Sequence, residues 1–276
     1  MALSLYDAAF ATVGVALGST ASATITGVAL IGGFASTLGW PVGSALLHHL
    51  GWRGLLLVYA GLHLAISLPL IVLTLPSGAP AAARCPTSDL VDRRGHNLQL
   101  ACMSGFFALR WFITSAIAAQ VLLLMSGLGL GPAQAMAAAM LIGPGQVAGR
   151  LLDWFAARHL DPLSRARVGA LLFPIGALLL LSGMPDAAFG FALLYGMSNG
   201  ILTVNRGTLP MLVLGSQGYA ARLGQIALPV MLAQAVAPTL AAPLIAGIAG
   251  PELLLLAGAV AGVSALLLLP LRARLV

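Results

Sequence analysis

Hydrophobic residues fall in long uninterrupted runs, and short polar gaps separate them. Crossing roughly 30 Å of hydrocarbon takes about 20 apolar residues in helical form. On that measure the chain predicts nine spans, at about 2–18, 23–48, 52–75, 98–124, 131–150, 163–182, 186–210, 222–248 and 251–271. The runs are too long for barrel strands and lack their period-2 alternation. The pattern therefore predicts an all-α fold, a polytopic membrane helix bundle. The widest polar gap, 76–97, holds Pro76, Pro80, Pro86, Asp89 and Asp92 together with Arg84, Arg93 and Arg94. It reads as a linker between a three-helix part (1–75) and a six-helix part (98–276).

Composition sharpens this picture. Of the residues, 60% are hydrophobic and only 7% charged, which excludes an ordinary soluble domain. The net charge of +6 raises the question of nucleic acid. A phosphate backbone needs a basic face, whereas these charges are scattered over short loops, so the expected surroundings are a lipid bilayer and no nucleic acid.

All 13 basic residues are arginine. Ten lie in alternate gaps: Arg84, Arg93 and Arg94; then Arg150, Arg158, Arg165 and Arg167; then Arg222; then Arg272 and Arg274. The opposite gaps hold Arg53 alone. Positive loops stay in the cytoplasm, so these gaps and the C-terminus are expected inside and, with nine spans, the N-terminus outside. The gap at 18–24, also expected inside, is uncharged. Three helices before the linker and six after it suggest a 6+6 protein without its first three helices.

Few residues offer chemistry. Cys85 and Cys102 form neither a metal spacing nor a disulfide framework. His48 and His49 are adjacent and point apart on a helix. Gly196-Met197-Ser198-Asn199-Gly200 fits the nucleophile-elbow pattern, but it falls in an apolar helix, not a strand-to-helix turn. The Tyr6–Asp7 pair lacks the second carboxylate of an acid protease. No enzyme activity, metal or cofactor is expected.

The charges inside the runs are more informative. Arg110 lies near the middle of 98–124, where a guanidinium costs about 2.5–3.5 kcal/mol on insertion scales. Asp7 is the sole acid within an apolar run. One reading has Arg110 attract an anionic or polar solute, with Asp7 as a proton or counter-charge site. The other is a structural Asp7–Arg110 pair, or an Asp7 hydrated at the outer surface. Asn199 and Arg206 share the span 186–210. Arg206 lies about 30 Å along that helix from Asp186, where it either meets solute or snorkels to phosphate headgroups. Gly14/Gly18, Gly39/Gly43 and Gly145/Gly149 have the spacing for close helix packing.

Four segments together resemble the major facilitator superfamily of secondary transporters. LYDAAFATVG resembles the fourth helix of bacterial members, and ITGVALIGGFASTLGWPVGSALLHHLGWRG the fifth helix with the turn into the sixth. GRLLDWFAAR (149–158) resembles the family's loop motif at Gly149, Leu151, Asp153 and Arg158, but Trp154 and Ala156 replace the usual Arg and Gly. YGMSNGILTVNRGTLPMLVLG (195–215) resembles a tenth helix. The fourth-helix Arg motif is absent, which weakens any proton scheme that depends on it.

The resemblance implies helices four to twelve of a twelve-helix fold in a bacterial inner membrane. The implied function is transport of a small-molecule substrate by alternating access, with a proton as coupling ion. Gly149, Asp153 and Arg158 would gate the cytoplasmic side, and Gly39 and Gly43 around Pro41 resemble an exporter motif, implying efflux. A half-complete bundle is expected to transport poorly by itself. The alternatives are a non-transporting subunit completed by a partner chain, or a membrane-embedded enzyme.

Overall fold

The computed structural model describes residues 6–74, 93–184, 186–216, 218–247 and 250–272. The expected linker lies outside them except for 93–97, and Arg84, Cys85, Asp89, Asp92 and Arg274 fall outside as well. Helices follow in the order α1 (Tyr6–Leu17), a 3-10 turn (Gly18–Thr20), α2 (Ala21–Leu62), a π turn (His63–Ser67) and α3 (Leu68–Thr74). After the linker come α4 (Arg93–Gly127), α5 (Pro132–Met140), α6 (Ile142–Ala156), α7 (Pro162–Leu181), α8 (Ala187–Leu214), α9 (Tyr219–Gly247) and α10 (Gly250–Leu266). No strand occurs among the described residues, and the fold is an all-α bundle.

Among the described residues, six helical stretches are long and apolar enough to cross a bilayer: Ala45–Leu73, Gly95–Gly127, Pro132–Ala156, Pro162–Leu181, Ala187–Leu214 and Tyr219–Leu244. Tyr6–Leu17, Ala21–Gly33 and Gly250–Leu266 are apolar but shorter. These apolar helices make the chain an integral membrane protein. The gap expected at 49–51 is a kink, with Gly51 at φ 67° and ψ 176° separating two helical stretches of α2, whereas two expected boundaries move. Helix α6 continues to Ala156 and α8 to Leu214, past Pro210.

The chain forms two compact units, one of the described residues through Gly33 and from Arg93 onward, the other of those from Phe34 to Thr74. In the first, α8 is the axial helix. It is largely interior, with 20 of its 28 residues buried.

Glycines bring α6 and α8 into backbone contact. A Cβ on Gly149 would strike the Met197 carbonyl, and one on Gly200 the Gln146 carbonyl. The expected Gly145/Gly149 pair therefore lies at this helix contact. Toward the α7–α8 connection the core is aromatic, with the Phe191 and Tyr195 rings stacked at 5.8 Å and Phe173 edge-on to both. Toward the α6–α7 connection it is built on Phe106, Phe107, Leu209 and Val213.

Helices α4 and α9 meet through polar groups at a proline. Pro238 has no N–H to offer the Gln234 carbonyl one turn back. Ser115 Oγ donates to that carbonyl instead, at 3.0 Å. One turn further, Gln120 leaves helical geometry (φ −136°, ψ 21°) and its amide donates to the Pro238 carbonyl at 3.4 Å. Such side-chain replacements make helix-breaking residues tolerable in apolar surroundings.

Asp161 caps α7, accepting from the Ser164 backbone N–H at 3.3 Å and its hydroxyl at 2.6 Å. Partial burial raises this carboxyl, but the Ser164 hydrogen bonds outweigh it and hold the group below its ordinary value.

In the second unit, His63 Nδ1 lies 3.2 Å from Ser67 Oγ within the π turn. The Arg53 guanidinium stacks 4.7 Å over the Trp52 ring.

Candidate functional site

Polar side chains on α8 collect partners from four helices in three groups, the second and third at nearly the same height along α8 on different faces. The central layer joins α4 to α8. Arg110 is fully buried, and its Nη2 donates to Ser198 Oγ at 2.8 Å. Ser198 in turn donates to the Gly169 carbonyl of α7 at 2.6 Å. The guanidinium lies 5.1 Å from the Phe173 ring, while its Nε and Nη1 have no hydrogen-bond partner. Beside it, Thr114 donates to Asn199 Oδ1 at 3.0 Å and Tyr195 donates to the Thr114 carbonyl at 3.0 Å. Arg110 and Asn199, singled out separately in the sequence, thus occupy one layer.

The second layer lies eight residues, about 12 Å, further along α8. Arg206 Nη2 donates to Asp7 Oδ2 at 2.5 Å, and the guanidinium stacks 5.2 Å from the Trp111 ring. Gly207 lets α1 approach. A Cβ there would come within 2.7 Å of both Phe10 and Ile25, and Tyr219 donates to the Gly207 carbonyl at 2.8 Å.

Two expectations are corrected here. Asp7 pairs with Arg206, not Arg110, because α1 docks against the half of α8 beyond Gly200. Both partners are interior, at 8% and 7% exposure, so Asp7 is not at a hydrated outer surface and Arg206 does not snorkel to headgroups.

The third layer ties α6, α7 and α8 at the α6–α7 end. The Arg165 guanidinium forms an ion pair with the Asp153 carboxylate and donates to the Asp153 carbonyl at 3.3 Å. Asn205 Nδ2 donates to Asp153 Oδ1 at 3.0 Å. Of the three residues of the loop motif, Gly149 provides the close contact with α8 and Asp153 the tie. Arg158 stands apart, 5.3 Å over the Trp154 ring at the end of α6.

Arg165, Ser198 and Asn205 belong to these layers and Arg150 is buried as well, although the sequence pattern gave the two arginines to a loop. Periodicity already marks the contact face of α6. Asp153 is four residues from Gly149 and eight from Gly145, and so shares the small face that packs on α8.

The charges do not balance. Among the described residues the buried cations are Arg110, Arg150, Arg165 and Arg206, and the buried acids are Asp7 and Asp153. Each acid is taken by one arginine, which leaves Arg110 and Arg150 without a counter-charge. Each such group costs about 2.5–3.5 kcal/mol in hydrocarbon on insertion scales. The interior is therefore electropositive and suited to an anionic group. No three His, Cys, Asp or Glu side chains gather to hold a metal among the described residues. No protein-family model matches the chain, and no curated protein matches it either.

Proposed function

We propose that this membrane protein is a secondary transporter, moving a small solute by alternating access, as the resemblance to the major facilitator superfamily implies. The observation that carries the reading is Arg110. A fully buried guanidinium with a neutral hydroxyl as its hydrogen-bond partner weakens the fold, and such groups in membrane interiors mark solute or ion pathways. Arg110 and Asn199 form the solute layer. Asp7 is the counter-charge site, where a proton arriving at its carboxylate frees Arg206.

The Asp153–Arg165–Asn205 tie holds the α6–α7 end closed in this scheme, and its release opens that end. The prolines and the Gln120 break give α4 and α9 the discontinuities that rocking needs. The arginine-rich gaps set the C-terminus on the cytoplasmic side of a bacterial inner membrane. The resemblance of Gly39-Trp40-Pro41-Val42-Gly43 to an exporter motif favours efflux. In this reading the chain catalyses no covalent reaction.

The test is flux in vesicles. The full chain is reconstituted, a proton gradient imposed, and a panel of radiolabelled organic acids followed. Gradient-dependent movement by the wild type, reduced at least about tenfold in R110A, is the expected result. Absence of flux with every solute tested, or flux unchanged in R110A, overturns the reading.

A further inference from the structure

Arg150 is the one buried arginine, among the described residues, that neither pairs with an acid nor donates a hydrogen bond. It lies six residues, about 9 Å, before the end of α6, is 3% exposed, and leaves Nε and Nη1 without partners. Its side chain crosses the bare backbone of Gly33. A Cβ there would collide with Nη1 and approach Cδ at 3.0 Å and Cζ at 3.1 Å. The preceding residue does the same for another donor, since a Cβ on Gly32 would be 2.5 Å from the Tyr6 hydroxyl. Two successive glycines thus make room for a guanidinium and a phenol at neighbouring positions of α2.

The groups around Arg150 have complementary chemistry. Tyr6 lies on α1 beside Asp7. The neighbouring acid, Asp7, is engaged by Arg206. What remains is a fixed cation and a hydroxyl donor, both suited to anionic oxygen.

We infer that Arg150 and Tyr6 form a second anion-binding site, for the carboxylate or phosphate of a small molecule, in the layer beyond Arg110. Its place as a further station on the solute's route rests on the transport reading, but the binding itself does not. The same anionic oxygens could come from a free ion or from a lipid headgroup, and the test separates the two.

Thermal unfolding of the purified full chain is followed against increasing sodium phosphate, and separately sodium acetate, at constant ionic strength. The wild type gains stability in a saturable way. R150Q shifts half-saturation upward by at least about tenfold, the size expected for losing one strong charge-assisted contact. G33A moves it in the same direction, because it displaces the guanidinium while keeping the charge. R150K retains charge without the fork geometry and falls between; it and G33A carry the comparison if R150Q does not fold. R158Q, altering an exposed arginine, leaves the response unchanged.

The second arm is mass spectrometry after detergent delipidation. An anionic phospholipid that stays with the wild type and leaves R150Q or G33A assigns the site to a headgroup. Equal phosphate and acetate responses in all variants, with no such lipid, overturn the inference. Arg150-dependent binding without vesicle flux keeps this site and defeats the transport reading, and flux with Arg150-independent binding does the reverse.

Discussion

Arg165 and Arg110 are both buried, yet they are opposites in chemical terms. Arg165 meets a carboxylate that Asn205 also holds, at the end of the bundle where α6 turns into α7. Arg110 meets a serine hydroxyl and a phenyl ring at mid-bundle. The first pairs opposite charges across three helices, with only Arg165 Nε and Asn205 Oδ1 unpartnered. The second has no counter-charge and leaves Arg110 Nε and Nη1 unpartnered. A bundle that needed only cohesion would have apolar residues at both positions. The contrast separates a charge kept for structure from one kept for what it attracts.

The comparison breaks most visibly at Asp153. D153A leaves Arg165 buried without its partner, which costs about 3–5 kcal/mol for a pair of this kind. Urea or thermal unfolding in detergent should show it as a large fall in midpoint. A loss below about 1 kcal/mol would mean that the tie is hydrated and behaves as a surface pair.

Asp7 and Arg206 form the intermediate case, a pair that joins α1 to α8. A double-mutant cycle on D7N and R206M should return a coupling of about 2 kcal/mol, because each single change leaves the other partner unanswered. Additive effects would show that the two side chains act separately. Arg110 inverts the sign. R110M fits the same volume without a buried charge and should be neutral or about 1 kcal/mol more stable, while flux falls. If R110M were as unstable as D153A, the two arginines would be playing the same part.

How far these layers were legible in the sequence follows from what hydropathy measures. It measures burial in lipid one residue at a time, so a charge in the middle of a run stands out, and Arg110 and Asp7 were found that way. Which charges meet is a matter of three-dimensional packing, and the Asp7–Arg206 pair had no one-dimensional trace. Arg150 and Arg165 lie at the ends of runs, where loop arginines are also expected, so their burial was hidden. Gly51 was legible too, because the His48-His49-Leu50-Gly51-Trp52-Arg53 stretch reads as a turn and α2 kinks there at Gly51.

Ser115 provides the gentlest test, because it concerns a neutral group in the same bundle. Its hydroxyl reaches the Gln234 carbonyl at 3.0 Å, and Pro238 cannot serve that carbonyl. Interhelical hydrogen bonds in membrane proteins are worth about 0.6 kcal/mol on average. S115A should therefore lower stability by about that much, and the P238A background should erase most of the effect by restoring the helical N–H. Proline is then the cause of the contact, and the serine its replacement donor. An S115A loss that persisted in P238A would mean that Ser115 acts through packing against α9, and the difference between neutral ties and buried charges would have to be judged on Gln120 instead.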